Sequence, residues 1–279
     1  MRPLRAACAI CLQNIRKWQT DQRIWMIAIL MIIMVNIYVD DMKKISAYLE
    51  TEVPFWIFPF IYSQFHTKVI YTLGIVIMFC NAPFTDQNQI YVYTRSGRVK
   101  WLCGQILYIF FASALYYIFL FCVTVICMLF AGKPSMEWGA ALHMISVSDA
   151  ALRAGCPFVS ISSLILDCFT PLQAVWFTFL TSWCSAVVLG LIIFFCNYVS
   201  RTQILGVLTA SVMVILSVAV RGTHLVKFSP ISWNTVDNID VGGMTVYPSF
   251  TYCMCVYVGL IVLLVAGILA IGRKKGYYE

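Results

Sequence analysis

Of the 279 residues, 61% are hydrophobic and only 11% are charged, where a soluble domain usually carries about 25% charge. Nineteen Lys/Arg and twelve Asp/Glu cannot coat a globule of this size, which excludes a soluble enzyme, a nucleic-acid-binding domain and a disordered chain. The composition points to an all-α, polytopic membrane protein, with residues 1–279 forming a single transmembrane domain.

The chain begins with an amphipathic pattern over residues 2–20. On a helix, Leu4, Cys8, Cys11, Leu12, Ile15 and Trp18 share one sector, and Arg2, Arg5, Gln13, Arg16 and Lys17 share the opposing one. A basic helix bearing a tryptophan lies in the plane of a leaflet; the alternative is a helix packed on a partner. Cys8 and Cys11 form a CxxC, but no second Cys/His pair follows at zinc spacing, so no metal site is expected.

A bilayer core of about 30 Å needs roughly 20 helical residues. The first span is expected over 24–39, entered by Trp25 and closed by Asp40-Asp41. With no small-residue cleavage site behind it, it reads as a retained anchor rather than a signal peptide. Residues 53–62, dense in aromatics and bracketed by prolines, read as a belt at the outer headgroups. The second span, 69–80, is short and must borrow residues 60–68 or 81–84. Spans three to six fall on 102–131, 172–199, 203–220 and 250–272.

Between spans two and three, Asn81-Ala-Pro breaks the helix. Thr85 or Asp86 can cap a short new helix, and Ser96-Gly97 can turn the chain into span three. The loop pairs Tyr91 and Tyr93 with Arg95 and Arg98. The long connections are 132–171 and 222–249.

Sidedness follows from charge. With both termini cytoplasmic, the inner segments hold twelve cations and three acids (Asp21, Asp86, Glu279), and the outer ones seven cations and nine acids. That is the positive-inside pattern, and it requires an even number of spans. The expected location is the cytoplasmic (plasma) membrane.

Most of the twelve cysteines lie in or beside spans as small apolar packers. Cys156 and Cys168, in an outer connection, are the pair that a disulfide would use. Ser182, Ala186 and Gly190 recur at four-residue spacing in span four and mark a helix-packing face, as do Gly206 with Ala210 and Ala266 with Ala270. Asn36, Gln105 and Asn197 are the main polar side chains within spans; helix–helix hydrogen bonding is the simplest role for them.

Ion-coupled carriers hold ionisable groups at depth, and none stands in these spans away from their ends. No HExxH, GxSxG or GxxxxGK[ST] occurs, so no catalytic residue is expected and ATP binding by a P-loop is excluded.

Taken together, Ala82-Pro-Phe-Thr-Asp86 followed by Arg95-Ser-Gly-Arg98 and Trp101, within this layout, resembles the permease subunit of type-2 ABC exporters. That family has a basic interfacial helix first, six spans with both ends inside, a coupling helix between spans two and three, and larger outer elements before span six. The loop here has Thr85-Asp86-Gln87 where the family is commonly glutamate-rich. The resemblance implies a permease dimer, homo- or heteromeric, embedded in lipid and bound to two ABC ATPase subunits that hold ATP and Mg. It implies coupling through 84–98, with Phe84, Asp86, Tyr91, Tyr93, Arg95 and Arg98 as contacts, and no cofactor in this chain. The expected cargo is hydrophobic or amphipathic: a peptide, a lipid-like molecule or a drug. An ATPase-independent channel or carrier, and a membrane immunity or binding component that does not transport, remain as alternatives.

Overall fold

The computed structural model describes residues 3–85, 89–130, 132, 135–240, 245 and 247–274. Twelve α-helices make up the described fold: α1 (Pro3–Arg16), α2 (Gln22–Leu49), α3 (Phe58–Ser63), α4 (Phe65–Phe79), α5 (Gln89–Ser96), α6 (Arg98–Leu129), α7 (Gly139–Val147), α8 (Ala150–Arg153), α9 (Ser163–Cys168), α10 (Pro171–Ser200), α11 (Ile204–Ala219) and α12 (Phe250–Lys274). Among the described residues no strand forms beyond an isolated bridge between Asp240 and Ser249. Four helices, α2, α6, α10 and α12, are long and apolar enough to cross a membrane; α4 and α11 are shorter apolar helices. The protein is thus an all-helical membrane protein.

The local sequence explains where these helices start and stop. Asp21 caps α2, its carboxylate accepting from the Arg23 amide at 3.0 Å. The acids expected to close this span do not stop the helix, which continues to Leu49. Asp40 and Asp41 pair with Lys43 and Lys44 at 3.1 and 2.8 Å, so the charges end the apolar stretch while supporting the turns beyond it. Thr170 and Gln173 form a capping box, with Pro171 at the first helical position of α10.

Helix α10 is the axis of the bundle and packs on α4, α6, α11 and α12. Ser182, Ala186 and Gly190 are all inside. A Cβ on Gly190 would stand 2.7 Å from Ile109 Cγ2 and 2.9 Å from Phe79 Cδ2, so only glycine allows α4, α6 and α10 to meet there. Gly206 and Ala210 are likewise buried, whereas Ala266 and Ala270 lie on the exposed side of α12. Asn197 ties three elements, donating to the Ala82 carbonyl and accepting from the Gly206 amide, both at 2.8 Å. Gln105 is fully buried and accepts from Asn14 at 2.9 Å. Asn36 is exposed and bonds its own helix, at the Ile32 carbonyl.

Two expected surface segments are interior. Phe58, Phe60 and Tyr62, read from sequence as part of a lipid-facing belt, are essentially inaccessible. Phe58 packs edge-on against Phe121, Phe60 against Trp138 and Tyr62 against Tyr117. Helix α3 packs on α4, α6 and α10. The connection 222–249 also enters the fold: Ile231 through Val236, with Asn238 and Ile239, are each no more than 3% exposed.

Candidate functional site

At one end of the bundle, α1, α5 and the first turns of α6 form a platform. Ala7, Ile10, Cys11 and Asn14 of α1 are buried against α6, while Leu4 and Leu12 are 75% and 57% exposed. The face turned to α6 overlaps one edge of the apolar sector read from sequence, through Cys11 and the half-buried Ile15 and Trp18, and leaves Leu4 and Leu12 outward. The reason sits on the partner helix: a Cβ on Gly104 would be 2.7 Å from Ile10 Cβ, so the missing side chain makes a seat for α1. Trp18 Nε1 adds a bond to the Tyr108 hydroxyl at 2.8 Å. Burial pushes the Cys11 thiol up to about 11, with Cys8 adding to the shift. Among the described residues no group of three His, Cys, Asp or Glu is placed to hold a metal.

Among the described residues helix α5 runs over Gln89–Ser96 and ends where expected: Gly97, at φ +82°, turns the chain into α6; residues 86–88, between the expected cap and this helix, lie outside the described residues. The six residues named for coupling separate by position. Phe84 faces inward, its ring 4.7 Å from Tyr108 and 6.2 Å from Phe79. Tyr93 packs edge-on to the fully buried Trp101 at 5.4 Å. Both hold the loop in place and present little to a partner. Tyr91 is 75% exposed, and Arg95, one turn further, is exposed on the same face. Arg98 opens α6 and is half-buried. Asp86 lies outside the described residues. Between α1 and α5 runs a groove of about 450 Å³ walled by Ala6, Ile10, Gln13, Val92, Arg95 and Lys100.

The opposite end holds what sequence reasoning missed. Residues 229–239 descend between the helices, and Ser182 Oγ donates to the Asn234 carbonyl at 2.8 Å. Ser182 is eleven positions into α10, so the segment reaches about 16 Å down the helix axis. Its backbone forms two short 3-10 turns, Pro230–Asn234 and Val236–Asn238, and side chains around it take up carbonyls these leave over, as buried backbone requires. Lys68 Nζ and Asn238 Nδ2 both donate to the Ser232 carbonyl, at 3.1 and 2.7 Å. Ser232 Oγ donates to the Ser217 carbonyl at 3.0 Å, and Tyr257 to that of Pro230 at 2.7 Å. Trp233 anchors the segment, packed edge-on to Tyr252 and Tyr257 with its Nε1 on the Val226 carbonyl. Below it, the Tyr62 and Tyr117 hydroxyls share a hydrogen bond at 2.7 Å. Asp237 sits close to Ser63 and Ser162; burial raises its carboxyl above the usual range, and Arg221 and Lys68 pull it back in part. The signal available in the sequence was Pro230-Ile-Ser-Trp-Asn234, an apolar–polar mixture too hydrophobic for an exposed loop.

Cys156 and Cys168 are separate thiols. Cys156 is buried with its sulfur 3.7 Å from the Asp41 carbonyl oxygen, and Cys168 is exposed at the end of α9. Comparison with protein-family models, with curated proteins and with solved structures yields no match.

Proposed function

We propose that the chain is the transmembrane permease subunit of an ATP-driven exporter of the type-2 ABC class, acting in the plasma membrane with both termini cytoplasmic. In this reading α2, α6, α10 and α12 are full spans. Helices α3 and α4 cross together, and α11 crosses as a short span, the bilayer adjusting to its length at modest cost. The observation that carries the reading is α5: a short helix between α4 and α6, braced by Tyr93 on Trp101, that presents Tyr91 and Arg95 outward beside α1. It is the shape of a lever, rigid behind and exposed in front. The partner ATPase supplies ATP binding, with Mg, and hydrolysis; the residues here receive the resulting movement and pass it into α6. The buried segment between α11 and α12 closes the opposite end in the resting form, and opening it releases a hydrophobic or amphipathic cargo. A second permease chain completes the translocation path.

The test is purification of the tagged chain from its native membrane in mild detergent. A co-purifying subunit that hydrolyses ATP, with turnover raised by cargo, supports the reading; absence of any ATPase refutes it. A second reading, a carrier working without an ATPase, draws on the buried Lys68 and the half-buried Asp237, two ionisable groups close enough to shift one another at that end of the bundle. It predicts transport driven by an ion gradient in vesicles containing this chain alone.

A further inference from the structure

The segment between α11 and α12 places two neighbouring side chains of opposite character inside the bundle. Trp233 and Asn234 are each 1% exposed. The Trp233 indole fills an aromatic slot on α12, its ring 5.6 Å from that of Tyr252 and 5.8 Å from that of Tyr257. The Asn234 carboxamide enters a cluster of hydroxyls instead. Its Nδ2 donates to Thr72 Oγ1 at 3.3 Å, and the Tyr62 hydroxyl, bonded to that of Tyr117, comes close to Thr72, Ser182 and Asn234. The cluster is not satisfied by this occupant. Asn234 Oδ1, the Tyr71 hydroxyl and the Ser185 hydroxyl are all buried without a hydrogen-bond partner. Tyr71 stacks on Tyr62 at 5.9 Å, and Ser185 stands beside Tyr257. An acceptor and two donors thus stay unpaired in one cluster, which is costly where lipid excludes water. The carboxamide occupies the place without completing it.

We propose that Trp233 and Asn234 are a tethered stand-in for the cargo, and that the aromatic slot and the hydroxyl cluster are one binding site. The segment fills it at rest. Once the segment withdraws, the site takes a neutral amphiphile whose amide or hydroxyl head replaces the carboxamide and whose apolar body replaces the indole. The groups around Asn234 set the head-group class. Thr72, Ser182, Tyr62, Tyr71 and Ser185 all offer hydroxyls, which donate and accept but carry no counter-charge. A charged head would lose its water against them uncompensated, whereas an amide or alcohol exchanges hydrogen bonds one for one. The cation nearby on α4, Lys68, is engaged at the Ser232 carbonyl. The inference rests on the export reading for the use of the site; its place and its head-group chemistry come from the packing.

The experiment uses the full chain alone in phosphatidylcholine nanodiscs, without an ATPase. The probes are dodecanamide, dodecanol, dodecylammonium and dodecanesulfonate, each with a photoactivatable diazirine beside the head. Asn234→Ala removes the tethered carboxamide and leaves the hydroxyls in place. In that variant, dodecanamide and dodecanol labelling of α4 peptides around Thr72 and α10 peptides around Ser182 should rise roughly tenfold over wild type, the worth of a hydrogen bond or two no longer competed for. Adding Tyr62→Phe, which removes one hydroxyl and keeps the ring, should lower it again by roughly fivefold. The two charged probes should label only lipid-facing surface such as the exposed side of α12. Asn234→Ser, a milder truncation, carries the same comparison if the alanine variant does not fold. Labelling confined to the outer faces of the bundle, no rise on truncating Asn234, or equal labelling of the site by either charged probe would each overturn the proposal. None of these outcomes touches the export reading, which stands or falls on the co-purified ATPase.

Discussion

Ser182 of α10 donates its hydroxyl to the backbone carbonyl of Asn234 at 2.8 Å, inside the bundle. Asn234 Nδ2 in turn reaches Thr72 Oγ1 on α4 at 3.3 Å. Through these two bonds, a segment made of short 3-10 turns is fastened to two helices, and it therefore behaves as part of the core.

Trp233 is the apolar half of that attachment. Trp233→Ala removes a fully buried ring and should cost about 3–5 kcal/mol, read as a large fall in melting temperature in detergent. Exposed Trp25→Ala serves as the control and should move stability by less than about 0.5 kcal/mol. A Trp233 variant as stable as wild type would mean that the segment does not occupy the bundle.

Helix contacts give a paired test on glycine. Gly190→Ala places a methyl group 2.7 Å from Ile109 and should destabilise by about 1–3 kcal/mol through overpacking. Gly259→Ala meets nothing within 4 Å and should gain up to about 1 kcal/mol from helix propensity. Unfolding in denaturant would read both, and matching effects at the two sites would contradict the packing described.

Asp237 makes a pH prediction. Burial raises its carboxyl in the folded state above its unfolded value near 3.9. The folded form then binds the proton more tightly, so this group's stabilisation is present at low pH and is lost as pH rises through the folded value. Asp237→Asn removes that dependence. Wild type should gain stability relative to the variant as pH falls from 7 toward about 4. A difference that stays flat, or runs the other way, would show that Arg221 and Lys68 outweigh the burial.

Much of this architecture is written in composition and period. Long uncharged runs fixed α2, α6, α10 and α12, because a helix must satisfy its own backbone in lipid. The four-residue spacing of Ser182, Ala186 and Gly190 marked a real seam. Three features were illegible for physical reasons. The inward turn of Phe58–Tyr62 and the burial of 229–239 depend on partners remote in sequence, and aromatics suit an interface and a core equally well. The face of α1 that meets α6 could not be read from α1 alone, because Gly104, on another helix, makes its seat. For the loop around α5, sequence supplied six residues, and only packing on Trp101 and Tyr108 separated the inward Tyr93 and Phe84 from the outward Tyr91 and Arg95.

That seating of α1 can be tested directly. Ile10→Asp places a charge against α6 and should cost several times more stability than Leu12→Asp, which faces outward. Equal losses, followed by thermal unfolding, would return the buried face to the Leu12 side.

The central claim is that α5 hands movement from an ATPase to this chain, and its exposed face is the place to break it. Tyr91→Ala with Arg95→Ala removes two outward side chains of the types that dominate protein–protein hot spots. Insertion and melting temperature should stay at wild-type values, since neither residue is part of the core. The measurement is the amount of ATP-hydrolysing partner recovered with the tagged chain from native membranes. The account predicts a fall of about tenfold or more, with cargo-stimulated hydrolysis lost; recovery and stimulation at wild-type levels would contradict it.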